Sequence, residues 1–324
     1  MPHVLCLRPI HPEAIQAMRD GGCTVEILED PTPASMAEAL PRAEAITVRL
    51  TPITRAVIAR AGKLQIVARH GVGYDAVDVP ALTERGIPLT ITPEANAVSV
   101  AEHAMMLMLS VARRVTGYDA NMRKPIWGTT PALPTIDLAG RTLLIVGFGR
   151  IGTRVAKRAA AFEMKVLVSD PKVPRNTIRG LGYEPVNDMS EALARADIVT
   201  LHCPSNAQTR DMVDAAFLAQ MKPGASLVNT ARGTLVVEDA LVAALKSGHL
   251  AAAGLDVFYE EPVVTQLALM GLPNVILTPH SAAGTAESMR RMALSCAESI
   301  LARFAGTLDA DSVVNPETLP RSNA

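Results

Sequence analysis

Short apolar runs rich in β-branched residues alternate along the chain with longer stretches of helical period, a rhythm that predicts parallel strands joined by crossover helices. In the first third these runs are Val4–Leu7, Val25–Leu28, Ala45–Val48, Leu64–Ala68 and Ile87–Thr90. Gly, Pro and Asp cluster between them, as in Arg19-Asp20-Gly21-Gly22 and Asp30-Pro31-Thr32-Pro33, where turns are needed. A second series runs through Thr142–Val146, Lys165–Ser169, Asp197–Leu201, Ser226–Asn229, Ala251–Leu255 and Val275–Thr278. Two α/β units, each with a doubly wound parallel sheet, are the expectation.

Between the two series lies an apolar helix, Ser99–Val115, followed by an arm-like segment around Trp127-Gly128 and Pro131–Pro134. A last helix, roughly Ala286–Ala305, is expected to pack back on the first sheet. The chain then divides into a split domain, 1–97 with 286–324, and an inserted domain, 98–285.

Composition narrows the class. A length of 324 residues exceeds the usual span of one core, and 49% hydrophobic against 19% charged residues leaves no disordered character. The 31 basic and 32 acidic residues nearly cancel, which gives no electrostatic footprint for nucleic acid or an anionic membrane surface. Cys6, Cys23, Cys203 and Cys296 are spaced neither as a zinc site nor as a disulfide framework, so no metal is expected and a cytoplasmic setting fits. The start, Met1-Pro2-His3-Val4-Leu5, does not read as a secretory signal, and no apolar run reaches the roughly 20 residues of a membrane span. Chemistry on a small molecule is the better expectation.

Thr142–Val146 is followed by Gly147-Phe148-Gly149-Arg150-Ile151-Gly152, a GxGxxG run, and then by a helical stretch, Arg154–Phe162. The first glycine permits a tight strand-to-helix turn, the second lets backbone approach a pyrophosphate, and the third lets helix and strand pack closely. Amides at the helix N-terminus favour the phosphates. Asp170 follows the next strand 23 residues after Gly147, close to the expected separation of about 20, where an acid accepts the ribose hydroxyls and repels the extra phosphate of NADP. Glycines at these intervals also occur in ordinary turns. Strand, helix and acid together make a dinucleotide site, with NAD as the expected cofactor; Lys172 and Arg175 weaken the exclusion of NADP.

Three charged or titratable residues follow strands of the second series: Arg232 in Asn229-Thr230-Ala231-Arg232-Gly233, Glu261 just before Pro262, and His280 in Thr278-Pro279-His280. Ligands of open α/β sheets bind at that strand edge. With these segments, Gly71-Val72-Gly73-Tyr74-Asp75, Asn96-Ala97-Val98-Ser99-Val100-Ala101-Glu102-His103, the glycine run and Leu201-His202-Cys203-Pro204, in this order, the chain resembles the D-isomer specific 2-hydroxyacid dehydrogenase family over nearly its whole length. It looks like a short form of the phosphoglycerate dehydrogenase and hydroxypyruvate reductase type, without a regulatory tail domain.

The resemblance implies a Rossmann NAD-binding domain inserted in a flavodoxin-like substrate domain, a homodimer whose arm holds Trp127, and hydride transfer between NAD(H) and a 2-hydroxy acid/2-oxo acid pair. It assigns Arg232 to the substrate carboxylate and carbonyl, His280 to proton exchange with the C2 oxygen, and Glu261 to pairing with His280. Physical chemistry supports those roles: guanidinium binds carboxylate with two parallel hydrogen bonds, and imidazolium quenches charge developing on the carbonyl oxygen. Cofactor contacts are implied for Gly147, Gly149, Arg150, Ile151, Gly152, Asp170, Cys203, Pro204, Thr209, Thr230, Ala231, Asp256 and Val100. Substrate contacts are implied for Arg49, Leu50, Thr51, Asn96 and the Val72 and Gly73 amides, although Gly71-Val72-Gly73 alone reads as a tight turn.

Other features carry blander readings. His103 is expected to pack within its apolar helix, His202 to line the cofactor cleft, and Met105-Met106-Leu107-Met108-Leu109 to fill a core. Arg69 and His70 suit a second anionic group on the substrate, or else are solvent-facing charge. Ser281-Ala282-Ala283-Gly284 departs from the family, in which a bulkier residue and then glycine commonly follow the histidine. Two rival functions stay open: a phosphoglycerate dehydrogenase of serine biosynthesis, and an NAD-sensing, corepressor-like binding protein.

Overall fold

A computed structural model describes residues 1–124 and 134–319. Trp127-Gly128 and the Pro131–Leu133 part of the arm-like segment lie outside them. The chain divides into two compact units, Met1–Asn96 with Gly284–Ala324, and Ala97–Ala283.

The first unit holds five parallel strands: β1 (His3–Leu7), β2 (Thr24–Leu28), β3 (Ala45–Val48), β4 (Ile66–Arg69) and β5 (Leu89–Thr90). Their order, β2-β1-β3-β4-β5, is the flavodoxin-like one. Side chains alternate across the sheet. Leu5, Leu7, Ile46, Val48 and Val67 face one buried cluster, while Val4, Cys6, Ala45, Ile66 and Ala68 face the other. The second cluster is closed by Ala293, Cys296, Ala297 and Ile300 of the helix Ala286–Ala305, so this last helix covers the first sheet. Thr285 caps its N-terminus by accepting from Ser288 N–H, and Gly306, at φ +73°, ends it.

The second unit is a seven-stranded parallel sheet built from β6 (Thr142–Val146), β7 (Lys165–Ser169), β8 (Glu184–Pro185), β9 (Ile198–Leu201), β10 (Ala225–Asn229), β11 (Leu250–Leu255) and β12 (Val275–Leu277). The order β12-β11-β10-β9-β6-β7-β8 reverses between β6 and β9, and such reversals open a crevice at the strand carboxyl ends. Strand β8 gave no apolar signal. It is two residues long, one of them proline, and sits at the sheet edge where a missing donor is tolerated. The helix Ala97–Arg113 packs on β10, β11 and β12. Gly254 makes that approach close, since a Cβ there would lie 3.0 Å from Leu107 Cβ. Met105 and Met108 are buried in this core, as their packing role requires.

Candidate active site

The glycine loop leaves β6 and enters the helix Arg150–Ala161, whose first turn precedes the expected Arg154 start. Gly147 has φ +97°, and a Cβ on it would lie 2.6 Å from the Cys203 amide nitrogen, so neither its conformation nor its surroundings admit a side chain. At Gly152 a Cβ would lie 2.1 Å from the Gly147 carbonyl oxygen. At Gly149 it would meet nothing within 4 Å, which leaves open space over the helix N-terminus. The Asp170 carboxylate accepts Phe148 N–H at 2.7 Å and Lys172 N–H at 2.8 Å, tying the end of β7 to this loop. Beside it, after β9 and β10, two buried polar atoms have no partner among the described residues: His202 Nδ1 and Thr230 Oγ1. Burial pushes the Cys203 thiol up to about 11, so it is neutral, and the Thr209 hydroxyl donates to the Pro204 carbonyl at 2.6 Å, closing the loop after β9.

Arg232, Glu261 and His280 all belong to the second unit. The buried Asn229 side chain shapes the Arg232 turn, accepting Ala231 N–H at 3.0 Å and donating to the Arg232 carbonyl at 2.8 Å. A Cβ on Gly233 would lie 1.9 Å from the Phe258 carbonyl carbon, so only glycine lets this turn lie against the segment that carries Glu261. His280 Nδ1 is 2.5 Å from Glu261 Oε2, and Phe258 N–H donates to Glu261 Oε1 at 2.8 Å. Burial pushes the Glu261 carboxyl up, but hydrogen bonds from His280 and Phe258 and the charges of His280 and Arg232 outweigh it and hold the group below its usual range. With Nδ1 engaged, Nε2 of the half-exposed imidazole is the nitrogen that faces a reactant.

Asp256, expected at the cofactor, has no exposed surface; its carboxylate accepts from Thr278 Oγ1 at 2.6 Å and from the Ser281 and Ala282 amides at 2.9 Å each. It anchors the turn bearing His280. His103, expected merely to pack, places Nε2 2.9 Å from Thr278 Oγ1. Val100 is buried within the same helix as His103.

In the first unit, Arg49 follows β3 and Arg8 follows β1, adjacent strands on either side of that sheet's own reversal. Arg8 pairs with Asp30 at 3.0 Å, whereas Arg49 is half-buried and meets no carboxylate among the described residues; its Nη2 lies 3.9 Å from Met289 Sδ. Burial, then the Arg8 charge, lowers the Arg49 pKa. Leu50 is 69% exposed, Thr51 is half-buried, and buried Asn96 leaves Oδ1 without a partner among the described residues. The Val72 and Gly73 amides carry no hydrogen bond among the described residues. His70 does not supply the charge expected of it. It is 3% exposed, its Nε2 lies 3.3 Å from the Met289 carbonyl, and burial followed by the Arg49 charge pushes its pKa down to about 4, so the ring is neutral. The Arg69 guanidinium folds back onto the His70 carbonyl.

A family model for the NAD-binding domain of D-isomer specific 2-hydroxyacid dehydrogenases matches residues 105–282, more than half of the chain. The chain belongs to that family. It is 40% identical over 322 residues to D-3-phosphoglycerate dehydrogenase of Methanocaldococcus jannaschii, an alignment covering 99% of this chain and 61% of the relative. Hydroxypyruvate reductase of Thermotoga maritima is 40% identical over 266 residues, covering 81% of this chain and 85% of the relative. The chain thus spans about three-fifths of the length of the phosphoglycerate dehydrogenases and most of the reductase. A solved NADPH-dependent glyoxylate/hydroxypyruvate reductase from Sinorhizobium meliloti, in complex with NADP and malonate, superposes with a TM-score of 0.87 at 30% identity, covering 100% of this chain and 99% of that one.

The 2-hydroxyacid dehydrogenase family uses NAD or NADP, and the second unit fits such a group. The space left by Gly149 lies at the N-terminus of the helix Arg150–Ala161, where a pyrophosphate would be held, and the His202 and Thr230 atoms without partners among the described residues would offer polar contacts along the same sheet edge. Among the described residues no helix is long and apolar enough to cross a membrane. The sequence pattern did not single out Asn229 and Gly233 as site-building residues; the Gly233 role depends on the Phe258 backbone, 25 residues on.

Proposed function

We propose that this chain interconverts a 2-oxo acid and a 2-hydroxy acid with NAD(H). The observation that carries the reading is the 2.5 Å contact between His280 Nδ1 and Glu261 Oε2, with the Arg232 charge acting on the same carboxylate. Bound reduced nicotinamide supplies the hydride that adds to C2. Arg232 holds the substrate carboxylate through paired N–H donors and so fixes C2. His280 gives its Nε2 proton to the carbonyl oxygen as charge builds there, and Glu261 holds the Nδ1–H and balances the imidazolium. In the oxidative direction, neutral His280 takes the hydroxyl proton at Nε2.

Asp170 favours NAD over NADP, since its carboxylate already organises the glycine loop and would repel a 2′-phosphate. The Arg49 guanidinium, which meets no carboxylate among the described residues, favours substrates with a second anionic group, which supports activity on 3-phosphohydroxypyruvate alongside simpler oxo acids. In the same unit, the Val72 and Gly73 amides, free of hydrogen bonds among the described residues, suit a carboxylate. A homodimer and a cytoplasmic setting complete the reading, the latter supported by four free cysteines. A spectrophotometric panel of 2-oxo acids, run in parallel with NADH and NADPH, tests reaction class and cofactor together. No oxidation of either cofactor with any acid would overturn the proposal.

A further inference from the structure

The turn that carries His280 is unusual in its backbone. His280 has φ +50°, a left-handed conformation that is strained for a non-glycine residue and persists only where neighbours over-determine it. Asp256 provides that restraint from both sides: its carbonyl accepts His280 N–H at 2.7 Å, and its carboxylate accepts the Ser281 and Ala282 amides. The carboxylate is fully buried, and its only ion-pairing neighbour among the described residues is His103, with Nε2 3.4 Å from Oδ1. Thr278 lies between them. Its hydroxyl proton is directed to Asp256 Oδ1 at 2.6 Å, so toward His103 Nε2, at 2.9 Å, it can only accept. The chain of donors therefore runs His103 Nε2–H to Thr278 Oγ1–H to Asp256 Oδ1, each bond polarising the next.

We infer that His103 is a positioning residue for the proposed reaction: through Thr278 it fixes the buried Asp256 carboxylate, which in turn holds the His280 backbone in its left-handed turn. The inference rests on the reading of His280 as the proton-exchanging group. The helix that carries His103 packs closely on β11 at Gly254, where a Cβ would lie 3.0 Å from Leu107 Cβ. Removing the donor leaves the threonine–carboxylate pair less restrained, so the Ser281 and Ala282 amides should open more often and His280 should spend less time aligned with Glu261.

The test compares His103→Leu, His103→Gln, which keeps a donor near the Nε2 position, and Thr278→Val. Two readouts are used: hydrogen exchange of the peptide spanning 278–284 and steady-state kinetics with NADH, each beside NADH titration by fluorescence. We expect His103→Leu and Thr278→Val to accelerate exchange in that peptide at least tenfold and to lower kcat tenfold or more, with NADH affinity within threefold of wild type. His103→Gln should restore exchange and kcat to within about threefold. Unchanged exchange and kcat in His103→Leu would overturn the inference, as would a glutamine variant no better than leucine. A wild-type protein inactive on every oxo acid would instead overturn the reading of His280, and the exchange data would still decide whether His103 restrains the turn.

Discussion

Glu261 Oε2 lies 2.5 Å from His280 Nδ1, and the two residues reach each other from loops after different strands of one parallel sheet. The acid is held ionised by His280, by Phe258 N–H and by the Arg232 charge despite its burial. Across the neutral range Glu261 is therefore an anion. Glu261→Gln should keep a hydrogen-bond partner for Nδ1 and lose the charge that balances the imidazolium, so kcat for reduction of an oxo acid should fall about tenfold or more while NADH affinity stays near wild type. An unchanged kcat would remove Glu261 from the mechanism.

Arg232 is asked both to bind and to orient. Arg232→Lys keeps a positive charge and gives up the two parallel donors, so it should raise KM for the oxo acid and lower kcat together, by about tenfold or more in kcat/KM. Steady-state kinetics in both directions measure this. A change confined to KM would restrict Arg232 to uniform binding.

The glycines of the dinucleotide loop separate folding from binding. Gly152→Ala places a Cβ 2.1 Å from the Gly147 carbonyl oxygen and should destabilise the unit, visible as a lower Tm. Gly149→Ala meets nothing within 4 Å, so its Tm should stay near wild type while NADH affinity falls at least tenfold. Equal loss of stability in both variants would contradict this assignment of the open space.

Buried His70 links stability to acidity. Its pKa falls from 6.5 in the unfolded chain to about 4 in the folded one, first by burial and then by the Arg49 charge. The unfolded state thus binds the extra proton in that window, and stability contributed by the neutral ring is lost as pH drops from 6.5 toward 4. The slope approaches about 1.4 kcal/mol per pH unit for one such group. Urea melts at pH 7.5, 6 and 5 should show a steeper loss in wild type than in His70→Gln.

Much of this architecture was legible before the structure. Eleven of the twelve strands follow from apolar runs of four or five residues, and the last helix has the expected bounds, because buried parallel strands and crossover helices leave strong periodic signals. Strand β8 escaped because Glu184 and Pro185 hold an edge by position alone. The pairing of Glu261 with His280 was legible through their place after strands and through family likeness. The hydrogen-bond partners of Asp256, His103 and His70 were not, since each lies distant in sequence: the Ser281 and Ala282 amides, Thr278 and the Met289 carbonyl. A buried histidine and a surface one look alike in a sequence.

The proton-exchanging role of His280 is tested most directly by His280→Ala, measured for NADH binding by fluorescence and for turnover with whichever 2-oxo acid the wild type reduces fastest. General acid catalysis of this kind contributes about 10²–10⁴-fold, so kcat should fall by that order while NADH affinity stays within threefold. Turnover unchanged in His280→Ala, with NADH still bound, would contradict the account.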